Sequence, residues 1–256
     1  MGISPVKRQR QIVEIARNVG KVTVDDLATR LSVTPQTIRK DLNELCARNL
    51  LSRVHGGALL GSGVENLEYE ARRQLAEAEK RRIGEAAAAL IPDGASLFIN
   101  IGTTTEEVAR QLAERSGFLV ITNNLNVVDI LGANPDIELI VVGGRLRHRD
   151  RATVGPSAVE FIKNFKVDFA IIGASAIDED GSLLDFDFSE VQVSHAIMQN
   201  SRSVILVADQ MKLGRKAPIR IGHLSQIDIF VTDYAGSPKF RRVCEESDVR
   251  VVTVSV

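Results

Sequence analysis

The sequence predicts an α/β protein with two domains: an N-terminal winged helix-turn-helix domain and a C-terminal, mostly parallel α/β domain. Short helical patterns with clear start signals fill roughly the first fifty residues, and a β-rich segment with two adjacent glycines follows them. Further on, apolar runs of strand length alternate with helical patterns, which is typical of a parallel sheet covered by helices. With 256 residues and 44% hydrophobic content, the chain can bury a sizeable core.

Two short helices come first. The first carries an apolar stripe that ends at Gly20, and the second begins at Thr23, whose hydroxyl can cap the helix while Asp26 lies three residues further on. The stripe residues of the two helices are Ile12, Ile15, Ala16, Val19, Leu27 and Leu31. Together with the helix that follows, they make a three-helix unit.

The third helix carries the most informative pattern of the chain. Thr34 is an N-cap residue, and Pro35 takes the first helical position, where no backbone donor is needed. Ile38, Leu42 and Leu45 form its buried stripe. The polar residues that must face outward or flank this stripe are Gln36, Thr37, Arg39, Lys40 and Asn43. With Thr34, they are side chains of the kind that bind base edges and phosphates, so this helix is predicted to contact DNA.

A β-hairpin, or wing, is predicted beside the third helix. The segment from Leu50 to His55 has β character and ends at Gly56 and Gly57. Arg53 and His55 are candidate contacts to phosphate or to the minor groove. The alternative is that both side chains are simply exposed to solvent.

The charge distribution favours the N-terminal domain as the nucleic-acid partner. Residues 1–57 hold ten Lys and Arg against five Asp and Glu, although the whole chain has a formal net charge of −1. A basic excess of this size also occurs on ordinary solvated surfaces. Its coincidence with the polar helix face is what favours double-stranded DNA as a partner.

Several other classes of protein are disfavoured by the composition. Cys46 and Cys244 are too few for a disulfide framework, and no Cys/His cluster has the spacing of a metal site. No apolar run approaches the roughly 20 residues of a membrane span, and the N-terminus lacks the apolar core of a signal peptide. We therefore expect a cytoplasmic protein without a membrane partner, a metal or a cofactor.

The domain boundary is predicted near residue 60. The segment from Ala58 to Val64 is small and Gly-rich like a hinge, and Leu67 to Leu90 has the composition of one charged helix. We assign residues 1–58 to the winged helix-turn-helix domain, 59–72 to a linker and 73–256 to a sensing α/β domain. The strands predicted in the α/β domain are Leu97 to Ile101, Phe118 to Thr122, Ile137 to Val142, Asp168 to Ile172, Val204 to Ala208, Ile227 to Thr232 and Val249 to Val254.

The residues that follow these strands are candidates for a ligand site, because open α/β sheets bind small molecules at the carboxyl ends of their strands. Gly102, Thr103, Thr104 and Thr105 follow the first strand and begin a helix. Free N–H groups, hydroxyls and the positive end of a helix together suit a phosphate. The alternative is a tight turn at the glycine with threonines that merely cap the helix.

Two neighbouring strands also end in polar residues. Asn123 and Asn124 follow the second strand, and Gly143, Gly144 and Arg145 follow the third. Amides, close backbone approach and a guanidinium can orient hydroxyls and reinforce phosphate binding. Alternatively, the asparagines are turn residues and Arg145 is a surface charge.

Later in the chain, two further groups are candidates. Lys212, after the fifth strand, could balance a phosphate charge, and Asp185, in the loop after the fourth, could recognise a hydroxyl. The alternative is that the lysine is solvated and that the aspartates of this loop pair with Arg147 or Arg149.

With these residues in view, the sequence resembles the DeoR family of bacterial repressors nearly end to end. The generic family motifs are TIRKDL from Thr37, HGGA from His55 and GTTT from Gly102. The closer likeness is to members that respond to sn-glycerol 3-phosphate. It rests on the segments LFINIGTTTEEVA, TNNLNV, GGRLRHRD and DGSLLDFDFSEV, which begin at Leu97, Thr122, Gly143 and Asp180.

The resemblance implies an operator-binding domain and a sensor built like the sheet of ribose-5-phosphate isomerase and glucosamine-6-phosphate deaminase. It implies sn-glycerol 3-phosphate as the inducer, with Gly102 to Thr105 holding the phosphate, Asn123 and Arg145 beside it, and Lys212 at the family's Ser-Lys-Phe-Gly site. That site departs from the pattern, because Met211 and Leu213 replace the serine and the phenylalanine. We therefore expect the finer shape of the pocket to differ from that of the family.

The comparison with the isomerase also bears on catalysis. Where that enzyme carries acidic residues after its fourth strand, this chain reads Gly173-Ala174-Ser175-Ala176, so the carboxylate that moves the proton is absent. We therefore predict no catalytic residue.

The leading hypothesis is a repressor of glycerol and glycerol-3-phosphate utilisation genes, acting as a homodimer or homotetramer. The rivals are a DeoR-type repressor that senses another phosphorylated sugar or polyol, and an isomerase-like enzyme with a regulatory module.

Overall fold

A computed structural model describes residues 4–19, 21–47, 50–54, 56–60, 69–234 and 236–254. The chain divides into two compact units, Met1–Arg72 and Arg73–Val256, and each is described by itself. Of the residues predicted to matter, Gly20 and His55 lie outside the described residues, as do positions 61–68 of the predicted linker. In the described part of the chain, no helix is long and apolar enough to cross a membrane.

The N-terminal unit is the predicted three-helix unit with a wing. Its elements are α1 (Pro5–Val19), β1 (Lys21–Thr23), α2 (Val24–Arg30), α3 (Pro35–Ala47), β2 (Leu51–Val54) and β3 (Gly57–Leu60), and α4 (Tyr69–Gln74) spans the boundary between the two units. The apolar stripes form its core, with Ile12, Leu27 and Leu42 fully buried. Ile15, predicted in the first stripe, is only half-buried. The Thr23 hydroxyl accepts a hydrogen bond from the backbone N–H of Asp26 at 3.3 Å, so α2 begins where the sequence placed it.

The wing is a hairpin of β2 and β3, and β1 extends it to a three-stranded antiparallel sheet in the order β1-β3-β2. Gly56 has a φ of +76°, which a glycine adopts without strain. A Cβ on Gly57 would lie 2.0 Å from the carbonyl oxygen of Val22, so only a glycine fits where β1 pairs alongside β3. The paired glycines of the sequence therefore make the turn and admit the third strand.

Two boundaries differ from the prediction. Strand β3 continues through Leu60, because it pairs with both β1 and β2, so Leu59 and Leu60 belong to the wing and not to a hinge. The single helix predicted up to Leu90 is two helices, α4 and α5 (Glu77–Ala89). Ala76 between them has a φ of +52°, which interrupts the helical path.

The C-terminal unit alternates strands and helices. After α5, its elements are β4 (Ser96–Ile99), α6 (Thr103–Leu112), β5 (Leu119–Thr122), α7 (Leu125–Leu131), β6 (Glu138–Val141), β7 (Arg145–Arg147), β8 (Ala152–Val154), α8 (Pro156–Ile162), β9 (Val167–Ile172), β10 (Ala176–Ile177), β11 (Ser182–Asp185), α9 (Phe188–Gln199), β12 (Ser201–Val207), β13 (Ile219–His223), β14 (Ile229–Thr232), α10 (Pro238–Glu246) and β15 (Arg250–Thr253). Short 3₁₀ turns cover Gln210–Lys212 and Leu224–Gln226.

The seven predicted strands form one parallel sheet in the order β15-β14-β12-β9-β4-β5-β6. Each of its faces is covered by an apolar cluster: Phe98 and Phe230 belong to one, and Leu97 and Val231 to the other. The chain runs outward from β4 to β6 on one side and from β9 to β15 on the other. The switch point between β4 and β9 is where a sheet of this kind binds its ligand.

Two smaller sheets were not predicted. One is the hairpin of β7 and β8, and the other is the antiparallel group β10-β11-β13. Their strands are two to five residues long and lack a continuous apolar run.

Candidate DNA interface and candidate ligand site

The outer face of α3 presents the polar residues that the sequence selected. Ile38, Leu42 and Leu45 are buried beneath it. The exposed side chains are Thr34, Gln36, Arg39, Lys40 and Asn43, whereas Thr37 is half-buried. Their spacing of three or four residues places them on one side of a helix, as contact with a DNA groove requires.

The first turn of α3 is fixed by its two threonines. The Thr34 hydroxyl accepts a hydrogen bond from the backbone N–H of Thr37 at 3.2 Å, and the two hydroxyl oxygens lie 2.9 Å apart. Thr34 therefore caps the helix as predicted. Both hydroxyls already have a partner in the chain, so any contact with DNA would add to this bond or replace it.

An ion pair that sequence reasoning missed anchors α3 to α1. Asp41 is buried. Its carboxylate accepts hydrogen bonds from Nε of Arg8 at 2.5 Å and from Nη2 of Arg8 at 3.1 Å. Gln9 donates to Glu44 at 2.6 Å beside it. The pairing raises the pKa of Arg8 through its hydrogen bond to Asp41. Because both residues are charged, pattern analysis places them on solvated faces, and only the fold brings them together.

The wing residues can be placed only in part. Arg53 lies in β2, where its Cα partner across the hairpin is Ala58. His55 is outside the described residues. Their assignment as DNA contacts stays a prediction.

At the switch point of the large sheet, Gly102 to Thr105 form the start of α6. Gly102 is the N-cap residue, with a φ of +149°. The hydroxyl of Thr105 donates to the carbonyl oxygens of Asn100 and Gly102 at 2.7 and 2.8 Å, so it is committed to the backbone. No hydrogen bond of the Thr103 or Thr104 hydroxyl is found among the described residues. With the unpaired amides of the first helical turn, these two hydroxyls remain able to bind an anion.

Asn123 and Asn124 are both fully buried at the end of β5, next to α6. Asn124 caps α7 by accepting from the backbone N–H of Asn126 at 2.9 Å, and its amide donates to Glu106 at 3.1 Å. Asn123 donates to the carbonyl oxygen of Thr153 at 3.1 Å, whereas its own Oδ1 has no hydrogen-bond partner among the described residues. Asn123 thus keeps an open acceptor, and Asn124 is engaged on both sides.

Gly144 and Arg145 open the hairpin of β7 and β8. Both are exposed, and within the described ranges Arg145 forms no ion pair. A Cβ on Gly144 would lie 3.1 Å from the Val154 carbonyl oxygen, so the glycine allows the two strands to approach. The Arg145 guanidinium is therefore available to a ligand.

The neighbouring arginine behaves differently. Arg147 is largely buried and pairs with Asp150 and Glu190 at 2.6 Å and with Asp187 at 3.0 Å. Asp187 also lies 3.6 Å from Arg149. The pairing that the sequence offered as the alternative for the aspartates is therefore present for Asp187.

Asp185 lies beside this cluster at the end of β11. It is buried and accepts the backbone N–H groups of Phe186 and Asp187 at 2.5 and 3.2 Å. Burial, together with the charge of Asp185, raises the pKa of Glu190 to about 7, against the opposing effect of Arg147. A carboxyl group that titrates near neutrality thus stands next to a candidate ligand residue.

Lys212 is set apart from these residues by the sheet order, because it follows β12, which is separated from β4 by β9. It ends a 3₁₀ turn that Asp209 caps through the backbone N–H of Met211 at 2.9 Å. Leu213 packs against the core where the family pattern has an aromatic ring. The lysine is half-buried and stays a predicted phosphate partner.

Glu106 is the residue of this region that the sequence did not single out. It is 1% exposed, and its Oε1 accepts the amides of Asn124 and Asn126 at 3.1 and 3.0 Å. Asn126 in turn contacts the carbonyl oxygen of Asp150 at 3.4 Å. Polar contacts therefore run from the start of α6 through that of α7 to the β7–β8 hairpin. Over the described residues, no group of three or more His, Cys, Asp or Glu could hold a metal ion.

Comparison with known families matches both units. The model of the DeoR-like helix-turn-helix domain matches residues 8–63, and the model of the DeoR C-terminal sensor domain matches residues 75–234.

Curated relatives cover most of the chain. The chain is 45% identical over 227 residues to the glycerol-3-phosphate regulon repressor of Escherichia coli, covering 89% of this chain and 90% of that protein. It is 44% identical to the repressor of the same name from Haemophilus influenzae, covering 88% of each. It is 37% identical to the HTH-type transcriptional repressor CsqR of Escherichia coli, covering 96% of this chain and 94% of the relative. Among solved structures, ribose 5-phosphate isomerase A of Methanocaldococcus jannaschii is similar with a TM-score of 0.40 and 19% identity, over 55% of this chain and 56% of the isomerase.

Proposed function

We propose that this chain, which belongs to the DeoR family, is a transcriptional repressor that binds operator DNA and releases it when a phosphorylated small molecule binds. The observation that carries the proposal is the 45% identity to a glycerol-3-phosphate regulon repressor over about nine tenths of both chains. The genes controlled would be those of glycerol and glycerol-3-phosphate utilisation. We further propose that the protein acts in the cytoplasm as a homodimer or homotetramer and needs no cofactor.

The DNA contacts would come from the outer face of α3 and from the wing. Gln36 and Asn43 carry amides suited to adenine, and Arg39 and Lys40 carry cations suited to guanine or phosphate. Because α3 is capped by Thr34 and held to α1 through Asp41, these groups would meet the major groove from a fixed base. Arg53 and His55 on the wing would add phosphate or minor-groove contacts.

The inducer would be sn-glycerol 3-phosphate. Its phosphate would bind the first-turn amides of α6 and the hydroxyls of Thr103 and Thr104, with Arg145 as the counter-charge. The open Oδ1 of Asn123 would accept a hydrogen bond from a hydroxyl of the polyol. Asp185 would accept another, and Lys212 would supply further positive charge.

Release of DNA would follow from linkage between the two binding events. If the inducer favours the DNA-incompetent arrangement by about 1–3 kcal/mol, operator affinity falls by about 5- to 150-fold. The coupling is reciprocal, so operator DNA lowers inducer affinity by the same factor.

An enzymatic role is not proposed. The segment after β9 is Gly173-Ala174-Ser175-Ala176, which offers no carboxylate for proton transfer. An enzyme of the isomerase type would turn over ribose 5-phosphate or fructose 6-phosphate, and a coupled assay at high enzyme concentration would reveal it.

A second candidate inducer is favoured by one observation. Met211 and Leu213 stand where the family pattern has a serine and an aromatic residue, so a ligand site that includes Lys212 would differ in shape and would suit another phosphorylated sugar or polyol.

The deciding experiment is a gel-shift titration on the DNA upstream of the chain's own gene. Glycerol 3-phosphate, glycerol and fructose 6-phosphate are added in parallel. Release by glycerol 3-phosphate alone supports the first candidate, and release by fructose 6-phosphate supports the second. Retention of DNA with all three, or no binding to the fragment at all, contradicts the proposed function.

A further inference from the structure

The start of α6 contains a buried negative charge in the same turn as the proposed phosphate site. Glu106 is 1% exposed and lies four residues after the N-cap glycine. Its backbone N–H makes the first helical hydrogen bond of α6, to the carbonyl oxygen of Gly102 at 3.0 Å. The carboxylate and a bound phosphate would therefore both lie at the positive end of one helix.

The side chain of Glu106 also connects two neighbouring strand ends. A single oxygen, Oε1, accepts the amide of Asn124 at 3.1 Å and that of Asn126 at 3.0 Å. Asn124 caps α7 and directly follows Asn123, whose Oδ1 is the open buried acceptor. The position of that acceptor relative to the start of α6 thus depends on the Glu106 contacts.

We propose that Glu106 is a positioning residue of the inducer site: its oxygen holds the start of α7 against that of α6, and its charge lowers the affinity for phosphate. This inference rests on the proposed function. A site weakened in this way responds to an abundant metabolite over a higher range of concentration, and the two aspects of Glu106 can be separated by substitution.

Glu106→Gln removes the charge and keeps an acceptor oxygen for both asparagine amides. The N-terminus of α6 then binds the anion without repulsion from the carboxylate of residue 106. Glycerol 3-phosphate and inorganic phosphate should therefore both bind about 3- to 10-fold more tightly. Glu106→Leu removes the charge and the acceptor, so the amides of Asn124 and Asn126 both lose their bond to Glu106, and Asn126 keeps its longer contact with the carbonyl oxygen of Asp150 at 3.4 Å. It should bind both anions at least about tenfold more weakly than the Gln variant.

The matched control is Glu107→Gln. Glu107 is the next residue of α6, and it forms an ion pair with Arg110 at 3.1 Å instead of contacting the asparagines. The same loss of charge at this position should leave both affinities within a factor of two of those of the unsubstituted chain.

Affinities are measured by isothermal titration calorimetry on the full chain, with thermal unfolding of each variant in parallel. If the Leu variant does not fold, Asn126→Ala removes one of the two contacts to Glu106, together with the Asn126 contacts to Asp150 and Arg151, and weaker binding of both anions is expected. An affinity of the Gln variant equal to or below that of the unsubstituted chain overturns the role of the charge. Equal affinities of the Gln and Leu variants, or unaltered binding by Asn126→Ala, overturn the positioning role.

The failure of the inference is distinguishable from that of the proposed function. If the unsubstituted chain binds glycerol 3-phosphate but the variants do not follow this order, only the inference fails. If it binds neither anion, the proposed class of inducer is wrong and the inference falls with it.

Discussion

The polar residues on the outer face of α3 and those at the start of α6 are arranged in opposite ways. On α3, Gln36, Arg39 and Asn43 are exposed, and the buried interior beneath them holds the helix in place. On α6, Thr104 and Glu106 are themselves buried, and Glu106 bonds to residues from another strand end. A surface that reads a large, flat partner needs free side chains on a rigid support, whereas a site that encloses a small anion needs its polar groups fixed to one another.

The support of α3 gives the largest expected effect. Asp41→Ala leaves the buried Arg8 guanidinium without its carboxylate, which should destabilise the N-terminal unit by about 3–5 kcal/mol. Chemical denaturation measures this change. The control is Asp26→Ala, which breaks an exposed pair with Arg30 at 3.0 Å and should cost about 1 kcal/mol or less. Equal costs for the two substitutions would contradict a supporting role of the buried pair.

The buried cluster of Arg147 with Asp150, Asp187 and Glu190 should show its own dependence on pH. The folded pKa of Glu190 is about 7 against an ordinary value of 4.5, so the folded state holds the proton more tightly. Its contribution to stability is therefore complete below about pH 4.5 and falls by up to about 3 kcal/mol as the pH rises to 7.

The measurement is thermal unfolding between pH 4.5 and 8 for the unsubstituted chain and for Glu190→Gln. The difference between the two should change steadily up to pH 7 and then level off. A constant difference would mean that Glu190 titrates at its usual pKa in the folded protein.

Substitutions on the exposed face of α3 should have a smaller effect, and this effect should be limited to the affinity for DNA. Arg39→Ala should weaken operator binding by about 1–3 kcal/mol and leave the unfolding temperature unchanged, because the side chain is exposed. A salt titration of the gel shift shows its role: a lower salt slope indicates a phosphate contact, and a relaxed base preference indicates a guanine contact. If affinity and salt slope both stay constant, Arg39 is not part of the interface.

The smallest effect is expected at the ligand site. Thr104→Val removes one hydroxyl without changing the volume, and loss of one hydrogen bond should raise the inducer concentration needed for release by about 3- to 10-fold. DNA binding without inducer should be unaffected. Thr105→Val serves as a contrast, because its hydroxyl holds the backbone of Asn100, and it should lower the unfolding temperature instead.

The contrast between exposed polar residues on α3 and buried polar residues on α6 also explains which parts of the structure could be predicted from the sequence. The exposure of Gln36, Arg39, Lys40 and Asn43 on α3 was predicted, because exposed and buried positions alternate with the helical period, whereas the buried Asp41 was missed. The seven strands were recognised as apolar runs of strand length; the inner strands such as β4 and β5 are largely buried, whereas the edge strands β6 and β15 are partly exposed. Glu106 was missed because a charged residue in a helix is ordinarily solvated, and its partner Asn124 comes from another strand end. The β7–β8 hairpin was missed because its strands of three residues are too short to show a period.

The close pairing of β1 with β3 at Gly57 has a consequence for how the wing would bind double-stranded DNA. Since β3 bonds to β1 on one side and to β2 on the other, the hairpin is stitched to the segment that joins the first two helices. A DNA-binding surface whose strands are already paired in the free protein is preorganised and loses little conformational entropy on binding. Target preference could then be altered by substitutions on α3 without rebuilding the wing.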